Sequence, residues 1–177
     1  MIDPSSGPFL FDTSAESWLA RSEDSPEIGA WIVRYLASHK VHVSAATVVE
    51  RVRGYGLLAG RAQGLEELRI AYLEQLKSRQ VWPIDETIAI SAGEIMALVP
   101  IPPTSPRRSH RSAESRQDRM VRWRFDAMIA ATALVAGLPL IHNNAADFES
   151  IRSAIEVSPG RFPKLGPLAL IRCDSLA

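Results

Sequence analysis

Four acidic residues follow or begin predicted elements in a way that would let their carboxylates bind one divalent metal ion: Asp12, Glu50, Asp126 and Asp147. Asp12 ends the short apolar run at residues 8–12, and Asp147 follows the apolar run at 139–142. Mg²⁺ prefers oxygen ligands, and it often binds only one or two carboxylates directly. Because a bound ion of this kind activates water and offsets phosphate charge, hydrolysis of a phosphodiester is the chemistry that fits best.

Each acid also has a simpler structural interpretation. Asp12 could close a turn through its side chain, and Asp147 could cap the helix that follows it. Asp126 could stabilise a helix start, and Glu50 could complete a capping box with Thr47 as the N-cap. For Glu50 taken alone, the capping role is the favoured interpretation. The four acids in this order indicate a metal site more strongly than any one of them does.

The order of the predicted elements decides whether these acids can meet. Apolar runs predict strands at 8–12, 40–44, 81–84, 139–142 and 155–157, with an edge strand at 168–172. Helical patterns follow at 15–20, 28–38, after Thr47, at 65–79, 86–98, 114–136 and 145–154, with a break expected before Asp126. Alternating strands and helices predict a mainly parallel sheet with helices on both faces, which is a three-layer α/β/α sandwich. We therefore expect the acids along the carboxyl ends of the strands, where ligands bind in such sheets.

Composition favours an ordinary globular protein. The chain has 177 residues, of which 46% are hydrophobic, so one compact domain spanning 1–177 is expected. A formal net charge of zero gives no global electrostatic reason to bind nucleic acid or an anionic membrane. The single cysteine, Cys173, excludes an intrachain disulfide. With neither a secretory signal pattern nor an apolar run near the roughly 18 residues that span a bilayer, we expect a soluble cytoplasmic protein without membrane contact.

The segment near 99–119 is rich in proline and arginine, and we expect it to be a loop or an insertion. Arginine can grip phosphate oxygens at two points, and such contacts position a nucleic-acid backbone without reading its sequence. A solvated surface is the alternative interpretation, and it would be preferred if no acidic site were expected nearby. The candidates for RNA contact are Arg107, Arg108, Arg111, Arg116, Arg119 and Arg122.

Four segments together resemble the PIN-domain ribonuclease family, most of all the VapC-type toxins of bacterial toxin–antitoxin pairs. They are FLFDTS at 9–14, SAATVVERVRG at 44–54, FDAMIAATA at 125–133 and NAADF at 144–148. The last two are fairly specific as a pair, whereas the first two are weak individually and useful through their order. The resemblance runs from about residue 9 to residue 157.

This resemblance implies an α/β/α sandwich and an endoribonuclease that depends on Mg²⁺ or Mn²⁺, with Asp12, Glu50, Asp126 and Asp147 as its catalytic and metal-binding set. It also implies a homodimer and inhibition by a cognate antitoxin protein. Thr13 or Ser14 would position water through a hydroxyl group, and Asn144 would shape the turn or contact water. His142 stands where the family usually has Thr or Ser. It could contact water or metal instead, although a lone His at a strand end is more often structural.

Two other functions would also fit parts of this sequence. A phosphotransferase of the haloacid dehalogenase type also places Asp after its first strand, but it requires a second acid two positions later, where this chain has Ser14. The second alternative is a non-catalytic module that binds RNA or protein on the same fold. The complete acid set argues against such a module, while His142 leaves it open.

Overall fold

The computed structural model describes residues 2–19, 25–59, 64–103 and 114–176. Its sheet contains five parallel strands, β1 (Leu10–Phe11), β2 (His42–Ser44), β3 (Gln80–Trp82), β4 (Leu140–His142) and β5 (Leu170–Arg172), in the order β3-β2-β1-β4-β5. The central strand β1 pairs with β2 on one side and with β4 on the other. The carboxyl ends of these three strands therefore lie side by side, and the segments expected to form edge strands do form them.

Within the described residues, seven α-helices connect and cover the strands: α1 (Thr13–Leu19), α2 (Pro26–Ser38), α3 (Ala45–Ala59), α4 (Leu65–Gln75), α5 (Glu86–Leu98), α6 (Arg116–Ala136) and α7 (Ala145–Glu156). One hydrophobic core joins Leu10 and Leu140 of the sheet to α5, α6 and α7. A second core joins Phe11 and Ile141 to α1 and α2. Successive strand residues point to opposite faces, so both faces of the sheet are buried and apolar. The three-layer α/β/α prediction is confirmed.

Helix α6 is packed closely enough to hold its middle against the sheet. Its alanines Ala127, Ala130 and Ala131 are fully buried, and side chains this small let a helix backbone approach its neighbours. The Thr132 and Ser44 hydroxyl groups are 2.9 Å apart, which links α6 to the end of β2. The helix ends at Gly137, whose φ of 64° suits glycine and turns the chain toward β4.

The strand expected at 155–157 is wrong, because Ile155 lies in the last turn of α7. It is buried together with Phe148 and Ile151. These positions are spaced by three, four and seven residues, so they form a helical stripe rather than a strand.

Two expected helix starts are also wrong. Helix α3 begins at Ala45, where the Ser44 hydroxyl accepts a hydrogen bond from the Ala46 N–H at 3.2 Å, so Thr47 is not its N-cap. Helix α6 is continuous from Arg116 to Ala136, which places Asp126 near its middle and not at a start. Residues 104–113, with Arg107, Arg108 and Arg111, lie outside the described residues. Among the helices that the structure describes, none has the length and apolar character needed to span a membrane.

Glu16 ties three parts of the fold together from a buried position. Its side chain is only 1% exposed, and it pairs with Arg51 of α3 at 3.0 Å and with Arg79 just before β3. Both guanidinium groups also lie within 6 Å of the centre of the Tyr72 ring on α4 (5.9 and 5.8 Å). Removing Glu16 would therefore leave two arginines without their buried carboxylate.

We predict that Glu16→Ala lowers the free energy of unfolding by about 3–5 kcal/mol, the usual cost of breaking a buried ion pair from one side. Chemical denaturation monitored by circular dichroism measures the change. Glu74→Ala, which removes an exposed partner of Lys77, is the matched control and should leave the midpoint close to that of the original protein. Equal effects of the two substitutions would contradict the prediction.

Candidate active site

Asp12 lies directly after β1 and directly before α1, and its side chain caps the first turn of this helix. Its carboxylate accepts the Ala15 N–H at 2.5 Å and the Ser14 hydroxyl at 2.8 Å. The Asp12 N–H donates to the Ile141 carbonyl, which fixes the residue beside β4. Burial raises the pKa of Asp12 to about 6, although the hydrogen bonds from Ala15, Ser14 and the Asn143 backbone oppose this shift. Asp12 is thus both a local helix cap and a carboxylate that is costly to ionise without a cation.

Glu50 and Asp126 reach the same place from two other helices. Glu50 projects from α3 and accepts the Thr13 hydroxyl at 2.5 Å, while Asp126 projects from the middle of α6. With Asp12 they line one cavity of about 210 Å³. The described residues that line it are Asp12, Thr13, Ser14, Ser17, Glu50, Arg122, Asp126 and Asn144.

The carboxylates are close enough to affect one another. The pKa of Asp126 is well above its usual value, mainly because the side chain is buried. The negative charges of Asp147, Glu50 and Asp12 raise this pKa further, whereas the Arg122 charge lowers it. The other three acids selected from the sequence therefore all lie within electrostatic reach of Asp126, as a shared metal site requires.

Asp147 occupies a different position from the other three acids. It is fully buried and does not line the cavity. Its Oδ2 atom accepts the Asn144 side-chain amide at 2.6 Å and the Arg122 Nη1 at 3.1 Å. The same Asn144 amide donates to Asp126 at 3.1 Å. Asn144 consequently links the Asp126 carboxylate on the cavity wall to the Asp147 carboxylate behind it.

The arginines expected to contact RNA separate into different groups. Arg122 is buried, and besides Asp147 it pairs with both carboxylate oxygens of Glu114, at 3.1 and 3.0 Å. Arg116 is exposed at the start of α6, and Arg119 donates to the Pro102 carbonyl. The structure therefore places Arg122 at the acidic cavity and leaves Arg116 near the surface.

The structure does not bring His142 to the cavity. Its ring is fully buried against Phe148, with ring centres 5.1 Å apart. Burial, assisted by the charges of Arg172 and Arg152, lowers the pKa of His142 to about 4. Neither ring nitrogen has a hydrogen-bond partner within the described part of the chain. We therefore leave His142 out of the site proposed below.

Ser17 is a cavity residue that the sequence interpretation missed. It lies in α1, where its hydroxyl donates to the Thr13 carbonyl at 2.8 Å. The signal was available in the spacing, because residues four apart in a helix share a face, and Thr13 and Ser17 have that spacing. The sequence predicted a turn between residues 12 and 15 and a helix only from Ala15. The helical spacing of Thr13 and Ser17 was therefore not recognised.

The carboxylate oxygens of the lining residues are the kind of ligand that a hard divalent ion binds. Their present arrangement is not a metal-coordination geometry. Within residues 2–19, 25–59, 64–103 and 114–176, no group of three or more Asp, Glu, His or Cys side chains is set to hold a metal ion. The carboxylate oxygens are turned toward protein donors instead, as with Thr13 on Glu50 and Asn144 on Asp126. Oxygen ligands on three elements facing one cavity still match what Mg²⁺ or Mn²⁺ binds. Ligation would require these side chains to reorient.

Comparison with known proteins supports one family. The model of the PIN domain family matches residues 9–153. Three solved structures share the fold over 93% of this chain, with TM-scores of 0.57, 0.56 and 0.55. They are DNA-bound VapBC from Salmonella typhimurium (18% identity, 96% of that chain), VapBC2 from Rickettsia felis bound to a promoter DNA fragment (11%, 97%) and FitAcB from Neisseria gonorrhoeae (20%, 96%).

One curated protein also matches part of the sequence. Penicillin-binding protein 1A of Aquifex aeolicus is 30% identical over 90 residues, which is 50% of this chain. The chain spans only 12% of that protein's length.

We predict that Asp126→Asn stabilises the protein when chelator is present, because it removes one of the repelling buried charges and keeps an oxygen for the Asn144 amide. The melting temperature in EDTA should rise by roughly 2–4 °C, the shift that about 1 kcal/mol gives in a chain of this size. Mn²⁺ should raise the melting temperature of the original protein and leave that of Asp126→Asn unchanged. Asp118→Asn, an exposed acid on the same helix, is the control. A variant that melts earlier in EDTA, or still gains from Mn²⁺, would contradict the prediction.

Proposed function

The chain belongs to the PIN-domain family, and from this membership and its acidic cavity we propose that it is an endoribonuclease that depends on Mg²⁺ or Mn²⁺. One observation carries the proposal. Asp12, Glu50 and Asp126 come from three separate elements and line a single cavity. Three carboxylates around one cavity, with those of Asp12 and Asp126 buried, are unfavourable unless a cation balances them, and a divalent ion is the cation that phosphodiester hydrolysis uses.

We assign the metal-binding role to Asp12, Glu50 and Asp126, with Asp147 supporting them from behind the cavity wall. When bound, the ion supplies positive charge against the scissile phosphate and a lowered pKa for the attacking water. The protein's own groups hold the carboxylates in place: Ser14 donates to Asp12, and Thr13 donates to Glu50.

Water and substrate would meet further polar groups at the cavity. The hydroxyls of Thr13, Ser14 and Ser17 and the amide of Asn144 all line it, and we propose that they orient the attacking water. RNA would be held by its phosphates through the arginines of α6 and the segment before it. The proposed contacts are Arg107, Arg108, Arg111, Arg116 and Arg119, with Arg122 facing the cavity itself.

We further propose that the chain is the toxin of a toxin–antitoxin pair that works as a homodimer. The support is the resemblance of its four sequence segments to VapC-type toxins, together with a fold shared with chains of VapBC and FitAcB structures. A cognate antitoxin protein would then be its regulatory partner.

The nuclease proposal predicts cleavage of single-stranded RNA in Mn²⁺ or Mg²⁺ that stops when EDTA is added. Asp126→Asn should reduce the rate by about 100-fold or more, the scale on which one lost transition-state interaction is felt. Gel analysis of a labelled RNA measures it, and Asp118→Asn should cleave at the original rate. Retention of cleavage by Asp126→Asn would overturn the site assignment. Metal-independent RNA binding without cleavage would instead favour the non-catalytic module.

The toxin proposal predicts that expression in bacteria arrests growth, because unrestrained RNA cleavage stops translation. Colony counts after induction measure the effect, and Asp126→Asn should restore growth. Co-expression of a cognate antitoxin, sought among small proteins encoded beside this chain, should relieve the arrest. An active nuclease whose expression leaves growth unaffected would refute the toxin role alone.

A further inference from the structure

Building on the metal site proposed above, we infer that Arg122 is an internal counter-cation. It pairs with Asp147, keeps that carboxylate out of the metal-binding set, and thereby limits the affinity of the site for a divalent ion. The role differs from the RNA contact considered for this arginine, because it acts on the carboxylates even when no RNA is present.

The geometry fixes Arg122 firmly. Glu114 receives hydrogen bonds from its Nε and Nη2 atoms at 3.1 and 3.0 Å, which is the two-point arrangement that suits a guanidinium. From the same group, Nη1 reaches Asp147 Oδ2 at 3.1 Å. The two acids bury the arginine, whose side chain is 10% exposed, while it still lines the acidic cavity.

The contacts form one chain of hydrogen bonds that ends at the cavity. Glu114 holds Arg122, Arg122 holds Asp147, and Asp147 receives the Asn144 amide. Asn144 then donates to Asp126, whose carboxylate lines the cavity. Arg122 therefore acts on the metal-binding residues both by its charge and through Asn144, and it is a positioning residue rather than a catalytic one.

The charges around the cavity decide whether the loss of Arg122 tightens or weakens metal binding. Among the described residues, three acids line the cavity and Asp147 lies behind it, and the guanidinium, which also pairs with Glu114, offsets part of their negative charge. A divalent ion entering the cavity is attracted by the acids and repelled by the fixed positive charge of Arg122. Replacing Arg122 with a neutral residue should therefore tighten metal binding. An arginine with only a structural role would give the opposite result, because losing it would loosen the site.

The test measures binding of Mn²⁺ alone to the full chain by isothermal titration calorimetry. Arg122→Gln should lower the Kd for Mn²⁺ by about tenfold, which corresponds to 1.4 kcal/mol. Arg122→Lys keeps the charge and should bind as the original protein does. Glu114→Gln leaves the arginine charge less neutralised, so it should raise the Kd severalfold. Arg124→Gln removes an exposed charge from the same helix and is the matched control.

A second variant tests the part played by Asp147. In the Arg122→Gln background, this arginine no longer offsets the charge of Asp147, so adding Asp147→Asn should return the Kd toward the original value. An unchanged Kd in the double variant relative to Arg122→Gln would show that Asp147 contributes nothing to ion binding, and it would overturn the part of the inference that concerns Asp147.

Other outcomes separate this inference from the proposed function. If Arg122→Gln binds Mn²⁺ equally or more weakly, the counter-cation role fails while the metal site stands. If it folds only when Mn²⁺ is added, the ion replaces the guanidinium and the inference is supported. A variant that stays unfolded with and without Mn²⁺ overturns it. If neither the original protein nor Arg122→Gln binds Mn²⁺, the metal site and the counter-cation role both fail.

Discussion

The burial of carboxylates around one cavity is the constraint around which this structure is arranged. Asp12 and Asp126 are both buried, and burial is the main reason that the pKa of each is raised. The negative charge of Glu50 raises both pKa values further, and that of Asp12 adds to the shift of Asp126. The fold offsets this cost with donors that belong to its own elements, such as the N-terminus of α1 at Asp12 and the Asn144 amide at Asp126. These bonds favour the ionised carboxylates, but burial and, after it, the neighbouring negative charges keep the pKa of both acids raised. The cavity is thus built at the expense of stability, as is common for functional sites.

The elements that carry the buried acids also hold them in place. Strand β1 is completely buried between two cores, so the position of Asp12 is set by the centre of the sheet. Asp126 is carried by a helix whose alanines pack closely and whose Thr132 contacts the end of β2. A rigid scaffold lets like charges remain close together, because separating them would require unpacking the core.

Much of this arrangement could be predicted from local sequence. Short apolar runs showed the strands, and their alternation with helices indicated the parallel sheet. Local patterns gave the wrong prediction where a residue fits both a strand and a helix, or where a side chain pairs with a residue far away in sequence. Ile155 fits a short apolar strand as well as a helical stripe. The arginines between 107 and 124 suggested a basic surface, but Arg122 is buried and pairs with Glu114 and with Asp147, which lies far along the chain. Only the tertiary structure brings Arg122 and Asp147 together. The sequence therefore could not show that three of the four acids line the cavity while Asp147 lies behind it.

The contrast between His142 and Arg122 shows why residue type alone is a weak guide to a site. Both stand near the acids in sequence or in space, and both are buried. His142 points into an apolar environment beside Phe148, where its lowered pKa keeps the ring neutral at ordinary pH. Arg122 is held by two carboxylates that keep it charged. A neutral ring cannot balance the acids electrostatically, whereas a paired guanidinium does so permanently. The electrostatics of the cavity therefore depend on the arginine and not on the histidine that departs from the family pattern.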